Sequence, residues 1–279
     1  MLCAMESTRI VFIGGGNMAR SLVGGLVADG VPPGRLGAAE PDAARRAALQ
    51  RDFGIEVFAD NAAAAAQAEV VVLAVKPQVM PQAARAVAPS LAARSALVIS
   101  IAAGIRTAEL LRWLGAGTAV VRAMPNTPAL LGCGATVLYA GDGVAPAQRE
   151  LAESILRAVG SVSWVERETQ MDAVTALSGS GPAYFFLLIE AMADAAAELG
   201  LPQDLAGLLA VETALGAARM ALESDEPVAA LRRRVTSPGG TTEAALDALE
   251  AGDFRTLVAT ALQRAEARSR ELADRFAQE

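Results

Sequence analysis

The stretch Arg9-Ile-Val-Phe-Ile-Gly-Gly-Gly-Asn-Met-Ala19, followed by the helix-compatible Arg20 to Ala28, decides the fold. Arg9 to Ile13 is short, apolar and β-branched, the pattern of a buried strand. It runs straight into Gly14-Gly15-Gly16 and then a helix, which sets a G-x-G-x-x-A spacing in strand-turn-helix context. In that context Gly14 permits the tight turn, and Gly16 lets backbone N–H groups approach a pyrophosphate. The small Ala19 lets helix and strand pack closely, and the helix N-terminus faces the anion with free donors. Ile13, Gly14, Gly16, Asn17, Met18 and Ala19 are therefore candidates for dinucleotide binding.

Outward from this turn, short apolar runs alternate with alanine-rich helical stretches. Strands are expected at Arg9–Ile13, Arg35–Ala39, Ile55–Phe58, Val70–Val75, Ala96–Ile101 and Ala119–Ala123, with two more at Ala135–Tyr139 and Ser161–Val165 around a helix near Pro146–Val159. Runs such as Val70-Val-Val-Leu-Ala-Val75 are apolar on both faces, as in a sheet covered by helices on each side. The fold class is α/β, with a doubly wound, mostly parallel sheet in the N-terminal part. Strand signals stop near Glu166, and the remainder reads as helices: a long one containing Ala191–Leu199, then Leu205–Leu222, Thr242–Leu249 and Phe254–Ala277. The boundary this implies divides residues 1–166 from an all-helical 167–279.

Ligands of such sheets bind beyond the carboxyl ends of the strands. The second strand ends in Glu40-Pro41-Asp42, with Arg45 and Arg46 one turn later. A carboxylate there accepts from a ribose diol and points to NADH; a cation there accommodates a 2′-phosphate and points to NADPH. Both readings stay open. The fourth strand ends in Ala74-Val75-Lys76-Pro77, where Lys76 is the single lysine among 24 basic residues. Ala102 and Ala103 follow the fifth strand, small enough to lie against a nicotinamide or its ribose, and Asn126 sits in a proline-braced loop after the sixth.

Composition narrows the partners. With 279 residues and 53% hydrophobic content the chain can build its cores without disulfides. Its two cysteines, Cys3 and Cys133, show no metal spacing, so a reducing cytoplasm and no metal are expected. A net charge of -7 argues against nucleic acid, and the Arg232-Arg233-Arg234 cluster reads as a solvated or interface helix end. Residues Met1 to Arg9 show no export signal, and Met5 is an equally good start. The apolar run Ala183 to Ile189 is far short of the roughly 20 residues that span a bilayer, so no membrane partner is expected. The chain contains no histidine, so any chemistry runs without imidazole.

In the helical half, Ala173 through Ala195 is apolar nearly all round and must be buried. So few helices give limited cover, and the shortfall points to a second subunit, hence a dimer. Two glycine-rich interruptions break this half, Leu177-Ser-Gly-Ser-Gly-Pro182 and Val235-Thr-Ser-Pro-Gly-Gly-Thr-Thr-Glu243. In the second, Gly239 and Gly240 free the backbone to present N–H groups while Thr241 or Thr242 caps the next helix, which makes a carboxylate receptor.

Six segments together resemble the pyrroline-5-carboxylate reductase family along essentially the whole chain. They are Ile13-Gly-Gly-Gly-Asn-Met-Ala19, Ala74-Val-Lys-Pro77, Ser100-Ile-Ala-Ala-Gly104, Arg122-Ala-Met-Pro-Asn-Thr-Pro128, Ser178-Gly-Ser-Gly-Pro-Ala-Tyr184 and Ser237-Pro-Gly-Gly-Thr-Thr-Glu-Ala-Ala-Leu246. The resemblance implies a Rossmann-like domain followed by a helical dimerisation domain, and a homodimer as the minimum unit, with a larger assembly such as a decamer left open. It implies reduction of 1-pyrroline-5-carboxylate to L-proline, the last step of proline biosynthesis, with NADPH, or NADH, as cofactor. By the same resemblance, the backbone at Gly240, Thr241 and Thr242 holds the substrate carboxylate, beside the Gly239 already read as part of that receptor, and the Thr242 hydroxyl reaches the ring nitrogen; Thr242 or Ser237 is the candidate for a catalytic hydroxyl. Asn61 would lie near the adenosine ribose. Two positions depart from the family: Glu40 stands where NADPH users often carry a small hydroxyl residue, and Arg234 replaces a frequent amide.

The nearest rival is a β-hydroxyacid-type reductase, which uses a lysine in its helical domain; this chain has none there. A non-catalytic dinucleotide-binding protein would keep Gly14 and Gly16 without needing Gly239 to Thr242.

Overall fold

The computed structural model describes residues 7–92 and 94–277. Cys3 and the candidate start Met5 lie outside them. One sheet of eight strands forms the N-terminal architecture: β1 (Ile10–Ile13), β2 (Leu36–Ala39), β3 (Glu56–Phe58), β4 (Val70–Leu73), β5 (Leu97–Ser100), β6 (Ala119–Met124), β7 (Gly134–Ala140) and β8 (Gly160–Trp164), in the order β3-β2-β1-β4-β5-β6-β7-β8. All neighbours pair in parallel except β6 and β7. The order reverses at β1, where β2 lies on one side and β4 on the other. That reversal opens a crevice at the carboxyl ends of β1 and β4.

Every residue of β1, β2, β4 and β5 is buried. Alternate side chains feed two cores, one on each face. Ile10, Phe12, Val70 and Val72 join the first, with Leu22 and Leu26 of α1 (Asn17–Ala28) above them. Val11, Ile13, Val71 and Leu73 join the second, against Trp113 and Leu114. Truncating one such side chain to alanine costs on the order of 2–5 kcal/mol, so the strand framework under the crevice is rigid.

The chain continues through α2 (Ala43–Phe53), α3 (Asn61–Ala65), α4 (Met80–Ala92), α5 (Thr107–Leu114) and α6 (Pro146–Arg157). After β8 the helices are α7 (Gln170–Val174), a π-turn at Thr175–Gly179, α8 (Gly181–Glu198), α9 (Gln203–Glu223), α10 (Val228–Arg234), α11 (Thr241–Ala251) and α12 (Phe254–Ala277). The short α10, with Pro227 at its N-cap, carries all three clustered arginines in its last turn, at the helix end expected for them.

By contacts the chain forms two units, one of Met1–Ser180 with Ala265–Glu279, the other of Gly181–Arg264. The break follows the π-turn instead of the end of the strand signals because the intervening residues are tied to the first unit. Glu168 accepts from the Thr107 N–H at 2.7 Å and from Arg122 at 2.8 Å, and Asp172 accepts from Ser269 of α12 at 2.7 Å.

Within the second unit, α8 and α9 pack on each other, yet much of their apolar surface is open in one chain. Phe185 and Phe186 are 64% and 66% exposed, and Leu187, Leu208 and Leu215 are exposed with them. The burial expected for this helix is therefore not supplied within the chain. The helical stretches Gln170–Glu198 and Gln203–Glu223 are also long and apolar enough, by length and composition alone, to cross a membrane. That property is an average over a whole helix and tolerates scattered polar residues, so the unbroken run Ala183–Ile189 does not measure it.

Candidate functional site

Where β1 meets α1, Gly14 adopts φ +102°, a conformation that side chains rarely take, and a Cβ there would lie 2.7 Å from the Ala74 carbonyl oxygen. The turn can therefore lie flat against the end of β4. Gly16, the N-cap of α1, faces open space, with nothing within 4 Å of the position a Cβ would take. No side chain caps this helix, so its first-turn N–H groups remain available to an anion in the opening.

A cleft of about 500 Å³ lies over this turn. Its floor includes Gly14, Gly16, Ala74 and Val75; Glu40, Asn61 and Lys76 stand at its sides. The cleft thus brings together seven of the residues singled out from sequence. Asn17 lines an adjoining hollow with Arg20 and Arg45. Ile13 and Ala19 are buried beneath the turn, Met18 packs on the core, and Pro77 starts the short turn after β4. Ala102, Ala103 and Asn126 lie outside the cleft lining, just after β5 and β6.

The cations near the cleft differ in what they touch. Arg20 is paired with Asp52 at 2.7 Å, and that hydrogen bond holds the Asp52 carboxyl below its ordinary range. Arg46 donates to the carbonyls of Glu40 and Pro41 at 2.6 and 2.7 Å. Arg45 and Lys76 line the cleft and have no ion-pair partner among the described residues. Glu40 is 6% exposed, and its two carboxylate oxygens accept from the Gly15 and Asp42 N–H groups at 2.9 and 3.1 Å. An open turn and free helix donors fit a dinucleotide pyrophosphate, and two unpaired cations line the same cleft.

Asn126 bonds to backbone through both ends of its amide. Its amide donates to the Ser178 carbonyl at 3.2 Å, and its side-chain oxygen accepts from the Ala135 N–H at 2.9 Å. It therefore fixes the loop after β6 to the π-turn. The π-turn itself closes with the Ser180 N–H on the Thr175 carbonyl, 2.9 Å, and a Cβ on Gly179 would sit 2.4 Å from Met124 Cε. Such turns often mark functional positions in helices.

In the second unit, the Ser237–Glu243 turn differs from the expectation in its internal bonding. The N-cap of α11 is Gly240, without a side-chain cap, so neither Thr241 nor Thr242 caps the helix. The Gly240 N–H donates to the Ser237 carbonyl at 3.0 Å, which removes it as a free donor. The Gly239 N–H donates to the Glu243 carboxylate at 2.6 Å, and Gly239 takes φ +71°. Both glycines thus build the turn. The N–H groups left without an intrahelical acceptor belong to Thr241, Thr242 and Glu243, the first turn of the helix. Thr242 is half-buried, and Ser237 is exposed.

Sequence reading missed Gly15, whose N–H holds Glu40, and Asp60, whose carboxylate caps α3 beside Asn61 by accepting from Ala63 at 2.8 Å. An aspartate three residues before a helical alanine was a readable cap signal. Val79 and Gln82, also in the cleft wall, carried no signal.

Residues 168–272 match a family model described as pyrroline-5-carboxylate reductase dimerisation, and residues 9–104 one described as NADP oxidoreductase coenzyme F420-dependent. A pyrroline-5-carboxylate reductase of Pseudomonas aeruginosa is 54% identical over 274 residues, covering 98% of this chain and 100% of the relative. One from Arabidopsis thaliana is 41% identical, covering 96% of each. Among solved structures, a pyrroline-5-carboxylate reductase from Coxiella burnetii superposes with TM-score 0.92 at 47% identity, covering 96% of this chain and 99% of that one. The Plasmodium falciparum pyrroline carboxylate reductase with NADP bound gives 0.86 at 29%, with the same coverage.

Proposed function

The chain belongs to the pyrroline-5-carboxylate reductase family, and from that premise we propose how its own residues share the reaction. It is an oxidoreductase acting on a C=N bond, and it reduces 1-pyrroline-5-carboxylate to L-proline with NAD(P)H, the last step of proline biosynthesis. Agreement with the family in sequence and fold along the whole chain carries that conclusion. It forms an oligomer through its dimerisation region. The division into a dinucleotide-binding part, 1–166, and a substrate-binding and dimerising part, 167–279, is our proposal. So are a homodimer as the minimum unit, assembly beyond it to a decamer, a cytoplasmic location and the absence of a membrane partner. The open faces of α8 and α9 support the homodimer, since a second copy covers such surface with like surface.

The turn from Ile13 through Ala19 and the start of α1 would hold the pyrophosphate, with Glu40 and Asn61 toward the adenosine. Ala74 to Pro77, Ala102, Ala103 and the loop of Asn126 would flank the nicotinamide. When bound, the reduced nicotinamide supplies the hydride.

For the substrate, the first-turn N–H groups of Thr241 and Thr242 offer the carboxylate two donors at the positive end of α11. Gly239 and Gly240 shape the turn that aims them, through their bonds to Glu243 and the Ser237 carbonyl. The Thr242 hydroxyl, with Ser237 as the other candidate, orients the ring nitrogen. Protonation of that nitrogen makes the neighbouring carbon electrophilic, and a cationic iminium needs no oxyanion hole. This explains how a chain without histidine suffices: the side chains orient two reactants and exclude water.

The test is oxidation of NADPH and of NADH, followed separately with pyrroline-5-carboxylate and with its six-membered homologue. Turnover of the five-membered imine with equimolar proline formation is expected. No turnover of either imine would reject the assignment.

A further inference from the structure

Resting on the reading of the cleft as the dinucleotide site, we infer that Glu40 clasps the glycine turn instead of binding the ribose diol, and that Arg45 reads a 2′-phosphate, so that the site selects NADPH.

A carboxylate at the end of the second strand ordinarily selects NADH by accepting from the ribose hydroxyls. Glu40 occupies that position, but its oxygens face inward. Oε2 accepts from the Gly15 N–H at 2.9 Å, Oε1 from the Asp42 N–H at 3.1 Å, and the residue is almost wholly buried. A Cβ on Gly15 would lie 3.1 Å from the Glu40 Cβ, so the side chain packs directly against the backbone of the turn. The carboxylate thus joins the glycine turn to the β2 end. Its charge is met by protein N–H groups, which lessens its repulsion of a phosphate nearby.

The two arginines that follow are not equivalent. Arg46 is committed to the Glu40 and Pro41 carbonyls and braces the same corner. Arg45, held at the start of α2 by its own N–H on the Asp42 carboxylate at 2.8 Å, lines the cleft with its guanidinium unpaired among the described residues. Planar guanidinium matches phosphate in two-point fashion. Lys76, the other unpaired cation, follows β4 on the opposite side of β1 from β2, away from the ribose end.

The experiment measures, by calorimetry, binding of adenosine 2′,5′-bisphosphate and adenosine 5′-monophosphate to the wild type and to Arg45→Gln, Arg46→Gln and Glu40→Gln, alongside kcat/KM with each coenzyme. The wild type should bind the bisphosphate more tightly. Arg45→Gln should weaken the bisphosphate at least tenfold relative to the monophosphate, and the NADPH-to-NADH ratio of kcat/KM should fall by a similar factor. Arg46→Gln should leave that ratio within about twofold. Glu40→Gln provides one acceptor for two donors, so both fragments should weaken by a common factor, with the ratio unchanged. In the wild type without ligand, the Gly15 amide should exchange slowly with deuterium, a readout that needs no variant to fold. A selective loss of monophosphate and NADH in Glu40→Gln, an intact preference in Arg45→Gln, or a fast-exchanging Gly15 amide would overturn the inference. Fragment binding requires no turnover, so a failure to reduce any imine would reject the activity and leave this test standing.

Discussion

The Arg122 guanidinium and the Glu168 carboxylate meet at 2.8 Å, tying β6 to the segment just ahead of α7. The arginine side chain is 7% exposed and the glutamate 22%. Glu168 also accepts from the Thr107 N–H and hydroxyl at 2.7 and 2.8 Å, so one carboxylate serves a buried cation and the first residue of α5. Glu168→Ala leaves the Arg122 charge buried without its partner. A loss of about 3 kcal/mol is expected, near the lower end for a broken buried pair because the glutamate keeps some water. Thermal melting should show a drop of several degrees, with Glu168→Gln intermediate; an unchanged melting point would remove the pair from the fold's support.

Gly14→Ala combines an unfavourable φ with a Cβ 2.7 Å from the Ala74 carbonyl oxygen. The turn must shift, and with it the N–H groups that face the pyrophosphate. Affinity for NADP+ is expected to fall at least tenfold, measured by fluorescence titration, whereas Gly16→Ala, which meets open space, should fold normally.

Thr242→Val preserves shape and removes the hydroxyl. Losing one such hydrogen bond costs on the order of 1–3 kcal/mol. Catalytic efficiency toward the imine should drop at least tenfold while NADP+ affinity stays nearly constant. An unaltered rate would exclude Thr242 from the reaction.

Phe186 is 66% exposed on α8. Phe186→Glu places a charge in the surface assigned to the partner copy, and sedimentation should show dissociation toward monomers at micromolar concentration. A variant with wild-type assembly would place the dimer contact elsewhere.

Acid stability has an identifiable contributor. The hydrogen bond from Arg157, then that from the Trp164 indole N–H at 2.8 Å, hold the Glu153 carboxyl below its ordinary value of 4.5. A carboxylate so lowered stabilises the fold above that value and loses its contribution as pH falls through and below it. About a third of the side chain is exposed, so the effect is small. The melting-point gap between wild type and Glu153→Gln should be open at neutral pH and close as the pH falls below 4.5.

The strands were legible because burial on two faces writes continuous apolar runs such as Val70–Leu73. The ends of β1, β4 and β5 were read a residue or two long, with Arg9 and Ile101 each still bonded to β4, and β7 was read a residue short at each end. The glycine turn was legible through spacing alone. Glu40's role was not, because both of its partners are backbone N–H groups, which leave no mark in side-chain identity. The same limit hid the bond between Glu243 and Gly239 and made Thr241 and Thr242 look like caps. At the π-turn, Met124 approaches Gly179 from a distant strand, a contact that local pattern does not encode.

The most direct test is a crystal structure with NADP+ and L-proline bound together. The proline carboxylate should rest on the Thr241 and Thr242 N–H groups, with the ring carbon beside nitrogen facing the nicotinamide. Proline bound away from that helix start in every subunit, or turned with its ring from the nicotinamide, would contradict the proposed arrangement.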